Sequence, residues 1–235
     1  LNGTQVTLTD APTFNINAAQ FIVFGGTAAA SLQWSAENDH ASWPDAVIPV
    51  GRLDGGLPTG IASVGNFILC FKQSKAYRFD YNIDPSDAND RALDVISETR
   101  GLVANRSCVV IEGTAYSMDQ FAGEAGFWVT RGGALFPLDI GRAISPVTRA
   151  GQDYELDWSK SSCWFAVWEP DSNSIWWFAT KQGDNLPKVA FVYNRPNIEG
   201  GDEPGRWLIH EFDHPCVGGI TTTGPDGVLR AYITC

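Results

Sequence analysis

The sequence predicts an all-β fold of successive antiparallel hairpins, and three observations predict it. Short apolar runs alternate along the chain with clusters of Gly, Asn, Asp and Pro, the pattern of strands joined by tight turns. Glycine (24) and proline (13) are frequent in the 235 residues, and nine tryptophans stand against one methionine, a composition that suits pleated sheets better than helices. No segment carries a sustained helical period. The richest candidate, Ser86 to Leu93, is short and acidic and reads as an exposed loop or a single helical turn.

The elements follow in order. Phe21-Ile22-Val23-Phe24 runs into Gly25-Gly26. Ile61 to Val64 and Phe67 to Phe71 flank Gly65-Asn66, a strong local hairpin signal, and Ala76 to Phe79 supplies a third strand. Cys108 to Ile111 and Thr114 to Met118 flank Glu112-Gly113; Gly126 to Val129 and Ala134 to Phe136 flank Arg131-Gly132-Gly133. Cys163 to Trp168 turns through Pro170-Asp171-Ser172-Asn173 into Ile175 to Phe178. Val189 to Tyr193 and Arg206 to Ile209 follow. Gly219 to Thr222 and Val228 to Ile233 close the series around Pro225-Asp226-Gly227.

The turn centres near Gly65, Gly113, Asn173 and Asp226 are spaced by roughly 50 residues, in the range of propeller blades. A four-stranded antiparallel sheet cannot bury both faces alone, and stacking such sheets around an axis solves that while protecting their edges. The expectation is one all-β domain over residues 1–235, a β-propeller of four-stranded antiparallel blades with four to five hairpin units. A β-sandwich is the alternative. The chain opens on Leu1 and is polar there, which reads as a trimmed chain or a fragment.

Charge excludes some functions. Sixteen Lys and Arg against 27 Asp and Glu give a net charge of −11, which repels phosphate backbones unless a local basic run overrides it. No such run is present, so sequence-specific DNA binding is not expected. No window approaches the roughly 18 apolar residues of a membrane helix. The five cysteines, Cys70, Cys108, Cys163, Cys216 and Cys235, are odd in number and far apart. They read as free thiols that behave as small buried hydrophobes in a reducing compartment.

Several patterns suggest chemistry. His210-Glu211-Phe212-Asp213-His214 matches the His-Glu-x-x-His of zinc hydrolases, which must lie on a helix to chelate one ion. Its flanks, Arg206 to Ile209 and Pro215, read as a strand, where residues four apart stand about 13 Å from each other. The acidic run Asp84 to Asp90 groups oxygen ligands but lacks the glycine and closing glutamate of a calcium loop, so it reads as solvated loop. No nucleophile elbow, phosphate loop or dinucleotide fingerprint appears. Trp164 and Trp168 share one face of their presumed strand, while Trp176 and Trp177 point to opposite faces. They read as core filling, with a sugar-stacking platform or a protein interface as the alternative. No catalytic, cofactor-binding or metal residue is assigned, and no enzyme is expected.

The motifs in order resemble a known family. Leu32-Gln33-Trp34-Ser35, Asn38-Asp39 and Ser42-Trp43 come first. Gly60-Ile61, Tyr77-Arg78-Phe79, Arg100-Gly101-Leu102, Ser107 to Val110, Gly113 and Tyr116 follow, and then Val192-Tyr193-Asn194 and Gly205-Arg206-Trp207. This succession resembles the nozzle of short-tailed bacteriophages, the tail tubular or packaged-DNA stabilisation protein. Gln33 and His40 depart from its pattern. The resemblance implies a propeller core and a non-catalytic virion subunit in the tail, assembled in the host cytoplasm. It implies a ring of copies, hexameric, beneath the portal and adaptor, with tail fibre or spike proteins as further partners. DNA would pass without sequence-specific binding, and no membrane or cofactor is implied. The candidate interface residues are Trp34, Asp39 and Trp43, on or beside the loop Ser35 to Arg52. Asp184 to Pro187 and Asn194 to Gly205 are further contact loops. A glycan-binding propeller lectin and a glycoside hydrolase are the rival functions.

Overall fold

In the computed structural model the structure describes residues 21–24, 31–34, 47–51, 56–65, 67–80, 93–131, 138–196 and 205–235. Among the described residues seventeen strands form five antiparallel sheets, each with its strands in chain order. Sheet I holds β1 (Phe21–Phe24), β2 (Ser31–Trp34) and β3 (Val47–Pro49). Sheet II holds β4 (Pro58–Val64), β5 (Phe67–Lys72), β6 (Ala76–Asp80) and β7 (Leu93–Ser97). Sheet III holds β8 (Cys108–Ile111), β9 (Thr114–Phe121), β10 (Glu124–Arg131) and β11 (Leu138–Asp139). Sheet IV holds β12 (Phe165–Glu169), β13 (Ser174–Ala179), β14 (Val189–Asn194) and β15 (Arg206–Glu211). Sheet V holds β16 (Gly218–Thr223) and β17 (Leu229–Thr234).

The arrangement of the sheets is that of a β-propeller. The first strands touch one another in succession, β1 against β4, β4 against β8, β8 against β12 and β12 against β16. Each sheet therefore starts beside a common axis and steps outward, as propeller blades do. A separate apolar core fills each gap. Val50 with Ile68, Cys70, Tyr77 and Phe79 lies on one face of sheet II. Leu69, Phe71 and Ile96 on its other face meet Ala115 and Trp128 of sheet III. Phe127, Trp177, Phe191 and Tyr193 join sheets III and IV. Phe165, Val167, Phe178 and Val192 join sheet IV to Cys216 and Ala231 beside and within sheet V.

This packing explains why the central strands read as unbroken apolar runs. In Phe67–Lys72, Leu69 and Phe71 face sheet III while Ile68 and Cys70 face the opposite core. In Val189–Asn194, Phe191 and Tyr193 face sheet III while Ala190 and Val192 face sheet V. A strand covered on both faces has no polar side to alternate with.

The four evenly spaced turns occupy one structural place, the first hairpin of sheets II to V. Gly65 and Gly113 there have φ of +59° and +71°, Gly227 +78°, and Asn173 takes a left-handed +49°. These positive values are what glycine and asparagine supply at tight turns.

Two sequence expectations change. Sheet III has a second turn at Ala122-Gly123 between β9 and β10, which the sequence reading does not mark, and its fourth strand is Leu138–Asp139; the strand expected at Ala134 to Phe136 lies outside the described residues. The reading of five free thiols is corrected, because Cys216 is bonded to Cys235. Cys216 precedes β16 and Cys235 follows β17, and the register Gly218↔Thr234 brings them opposite one another. Cys70, Cys108 and Cys163 are free. Burial pushes the Cys70 thiol up to about 12 and Cys108 up to about 11.

Candidate functional site

A cleft of about 350 Å³ opens on sheet III, lined among others by Arg100, Phe121, Glu124, Asp139, Arg142 and Arg149. Its organising residue is Arg100, on the connection between sheets II and III. The Ser97 hydroxyl accepts from the Arg100 backbone N–H at 2.8 Å and fixes the turn that delivers it. The guanidinium lies 4.1 Å over the Phe121 ring. It donates to Asp119 Oδ1 at 3.2 Å and to Asp139 Oδ2 at 2.7 Å. At the rim Arg149 pairs with Glu124 at 2.5 Å.

Asp119 lies beneath the cleft and is fully buried. Its second oxygen accepts from the Gly101 backbone N–H at 3.2 Å. Burial pushes this carboxyl up to about 6 against the pull of Arg100 and of the Gly101 N–H. Both Asp119 and Asp139 are thus held by one guanidinium. That geometry orders the joint between sheets.

The residues after Arg100 continue the joint. The Gly101 carbonyl accepts from Trp128 Nε1 at 2.9 Å, Leu102 N–H donates to the Lys72 carbonyl at 3.0 Å and Val103 N–H to the Met118 carbonyl at 3.0 Å. A Cβ at position 101 would overlap the backbone of Lys72 and Gln73, so only glycine lets the chain pass between sheets II and III. A second clasp ties sheet III to sheet IV. Arg195 donates to the Tyr116 hydroxyl at 3.0 Å, to Asn173 Oδ1 at 2.9 Å and to Glu112 Oε2 at 3.4 Å, and through Glu112 and Asn173 it joins the two equivalent first turns. Trp177 Nε1 donates to the Ser107 carbonyl at 3.1 Å, and Trp207 Nε1 to the Ile140 carbonyl at 2.9 Å.

The sequence-predicted site residues are placed as follows. Trp34 ends β2, with its backbone opposite Phe21; Asp39 and Trp43 lie outside the described residues, as does the run Asp84 to Asp90. Asp184 and Asn185 receive the Lys160 ammonium. His210 lies in β15, as its flanks predicted, and His214 beyond the strand's end. The His210 ring stacks on Trp176 with centroids 4.9 Å apart. Among the described residues no three His, Cys, Asp or Glu side chains are grouped to hold a metal ion. Trp164 and Trp177 are fully buried, and with Trp168 they pack on the core between sheets III and IV. Trp176 packs on the opposite face.

Sequence reasoning missed the Asp119 carboxylate. Its signal is an acid inside the strand Thr114–Phe121, facing a glycine at 126 across the register.

No protein-family model matches the chain, and no curated protein matches it. A similar solved structure is a chain in the crystal structure of a nidogen/laminin complex, 14% identical with a TM-score of 0.48. The alignment covers 88% of this chain, which spans 65% of that one. No described helix is long and apolar enough to cross a membrane.

Proposed function

We propose that this chain is a structural subunit of a virion, a propeller domain of the tail nozzle of a short-tailed phage. One observation carries the reading: residues that give the resemblance are spent on joining sheets. Arg100-Gly101-Leu102 clasps sheet II to sheet III. Tyr116 receives Arg195 across the next gap, and Trp207 reaches back to the Ile140 carbonyl. A chain whose characteristic residues fix blade against blade suits a rigid wall better than a reaction centre. The net charge of −11 suits a conduit that lets DNA slide rather than holding it. In this reading copies of the chain form a ring, sixfold like its counterparts, docked beneath portal and adaptor, with fibre or spike proteins outside it. Contacts run through loops and sheet edges, among them the loop that carries Asp39 and Trp43. The glycan-binding alternative draws no support from the tryptophan-rich hairpin, because three of its four indoles face the core between sheets III and IV.

The test is mass spectrometry of purified virions followed by cryo-EM of the intact tail. The expected result is this domain in a ring coaxial with the portal. Absence from the virion, or a position in the capsid shell or at fibre tips, overturns the assignment.

A further inference from the structure

The cleft on sheet III keeps cationic donors that its own joints do not use. Arg100 gives its two terminal nitrogens to Asp119 and Asp139, and its face covers the Phe121 ring. Both oxygens of Asp139 already accept, Oδ2 from Arg100 and Oδ1 from the Gly141 N–H at 2.8 Å. The two other guanidiniums of the lining differ. Arg149 gives Glu124 its Nε, so its two terminal nitrogens have no acceptor among the described residues, and its side chain is 58% exposed. Arg142 is exposed and has no hydrogen bond or ion pair among the described residues.

The backbone that carries these two arginines is held in place. The Gly141 N–H donates to the Phe127 carbonyl at 3.0 Å as well as to Asp139. The Ser145 N–H and hydroxyl both donate to the Gly141 carbonyl, at 2.8 and 2.9 Å. The Thr148 hydroxyl donates to the Ser145 carbonyl at 2.7 Å and accepts from the Ala125 N–H of β10 at 2.8 Å. Only the arginine side chains remain to be ordered when a ligand arrives, which lowers the entropy cost of binding. The apolar part of the lining is Phe121, 38% exposed, with Ala125 and Pro146.

We infer that this cleft binds a small organic carboxylate, its two oxygens held by Arg142 and Arg149 and its apolar body lying against Phe121 and Pro146. A guanidinium presents a planar fork of N–H donors that matches a carboxylate. The volume, about 350 Å³, falls at the low end of the roughly 300–1,000 Å³ of small-molecule sites, which suits a small molecule and not a folded partner. Asp119, Glu124 and Asp139 already stand around the three arginines. They disfavour a second negative charge on the ligand, so a monoanion fits better than a phosphate dianion. The inference is independent of the tail assignment.

The test is titration of the full 235-residue chain with phenylacetate, read by saturation-transfer NMR and calorimetry. The expected result is saturable binding, with acetate weaker for want of an apolar body and the neutral phenylacetamide weaker for want of charge. Arg142→Gln and Arg149→Gln should each weaken phenylacetate about tenfold, the loss of a charge-assisted hydrogen bond. Both side chains are exposed, so circular dichroism and urea midpoints should stay close to wild type. Arg230→Gln, on sheet V, should leave the affinity unchanged. Absence of saturable phenylacetate binding overturns the inference. So does binding that is indifferent to both cleft substitutions, which places the ligand elsewhere, and so does phenylacetamide binding as tightly as phenylacetate. Phenyl phosphate binding more tightly than phenylacetate overturns the choice of a carboxylate.

Discussion

Replacing Asp119 by Asn should remove an unusual pH dependence of stability. The carboxyl is fully buried and its proton affinity in the folded chain is raised to about 6, with desolvation outweighing Arg100. In the unfolded chain an aspartate titrates near 3.9. A raised acid is held more tightly protonated by the folded state, so between these values folding takes up a proton. Stability from this group therefore increases as pH falls from above 6 to about 4 and is level below that. Two pH units of separation correspond to about 3 kcal/mol. Urea denaturation of wild type and Asp119→Asn at several values between pH 7.5 and 4 isolates the group, because the other carboxylates are common to both chains. The expected result is a difference in midpoint, at constant m-value, that moves in favour of the wild type by an amount equivalent to about 3 kcal/mol. A difference that stays level, or that moves against the wild type on acidification, refutes the reasoning. The second outcome would mean that the Arg100 ion pair outweighs desolvation.

Gly126→Ala should be costly without any change of backbone conformation, because its Cβ would overlap Asp119 Oδ1 and Arg100 Nη1. Parting that buried pair should cost about 3–5 kcal/mol in urea melts. Gly113→Ala, with open space but a φ of +71°, should cost only about 1–2 kcal/mol. Arg195→Ala removes the donor shared by Tyr116 and Asn173 and should lose about 1–3 kcal/mol; proteolysis near both turns should quicken with it. Cys216→Ser opens a loop with a sequence separation of 19, and the chain-entropy argument gives about 3 kcal/mol. The deficit should vanish when both proteins are measured in reductant.

The blades were legible in the sequence because their signals are local. Gly65-Asn66, Glu112-Gly113, the run ending at Asn173 and Pro225-Asp226-Gly227 are turns readable from residue type alone. Each proved to be the first hairpin of a sheet. Strands covered on both faces, such as Phe67–Lys72, were found by hydrophobicity. What escaped were the weakly apolar or very short strands, Ser31–Trp34, Val47–Pro49, Leu93–Ser97 and Leu138–Asp139, although Leu93 itself ends the stretch that reads as a loop or helical turn. In such strands pairing to a neighbour, not the residues' own preference, decides the conformation. The Cys216–Cys235 bond escaped for the same reason: nothing in the spacing shows that the last hairpin sets its two ends side by side until the register is known.

The candidate site was only half legible, and the reason lies in how Arg100 to Val103 are used. The segment has neither period nor turn chemistry, so no local rule marks it. Its determinants are the Lys72 carbonyl before it and Met118, Asp119 and Trp128 after it, groups that come together only when sheets II and III are already stacked. Every residue of the segment then meets one of these partners: Arg100 the Asp119 carboxylate, Gly101 the Trp128 indole, Leu102 the Lys72 carbonyl and Val103 the Met118 carbonyl. A joint satisfied at each residue resists hinge motion, because opening it would strand buried polar groups on both sides. Sheets II and III therefore behave as one body, and the Arg195 clasp extends that body to sheet IV. Rigidity of this kind is a property of the connections between blades rather than of the blades, and it is what the proposed role in a channel wall asks of a subunit.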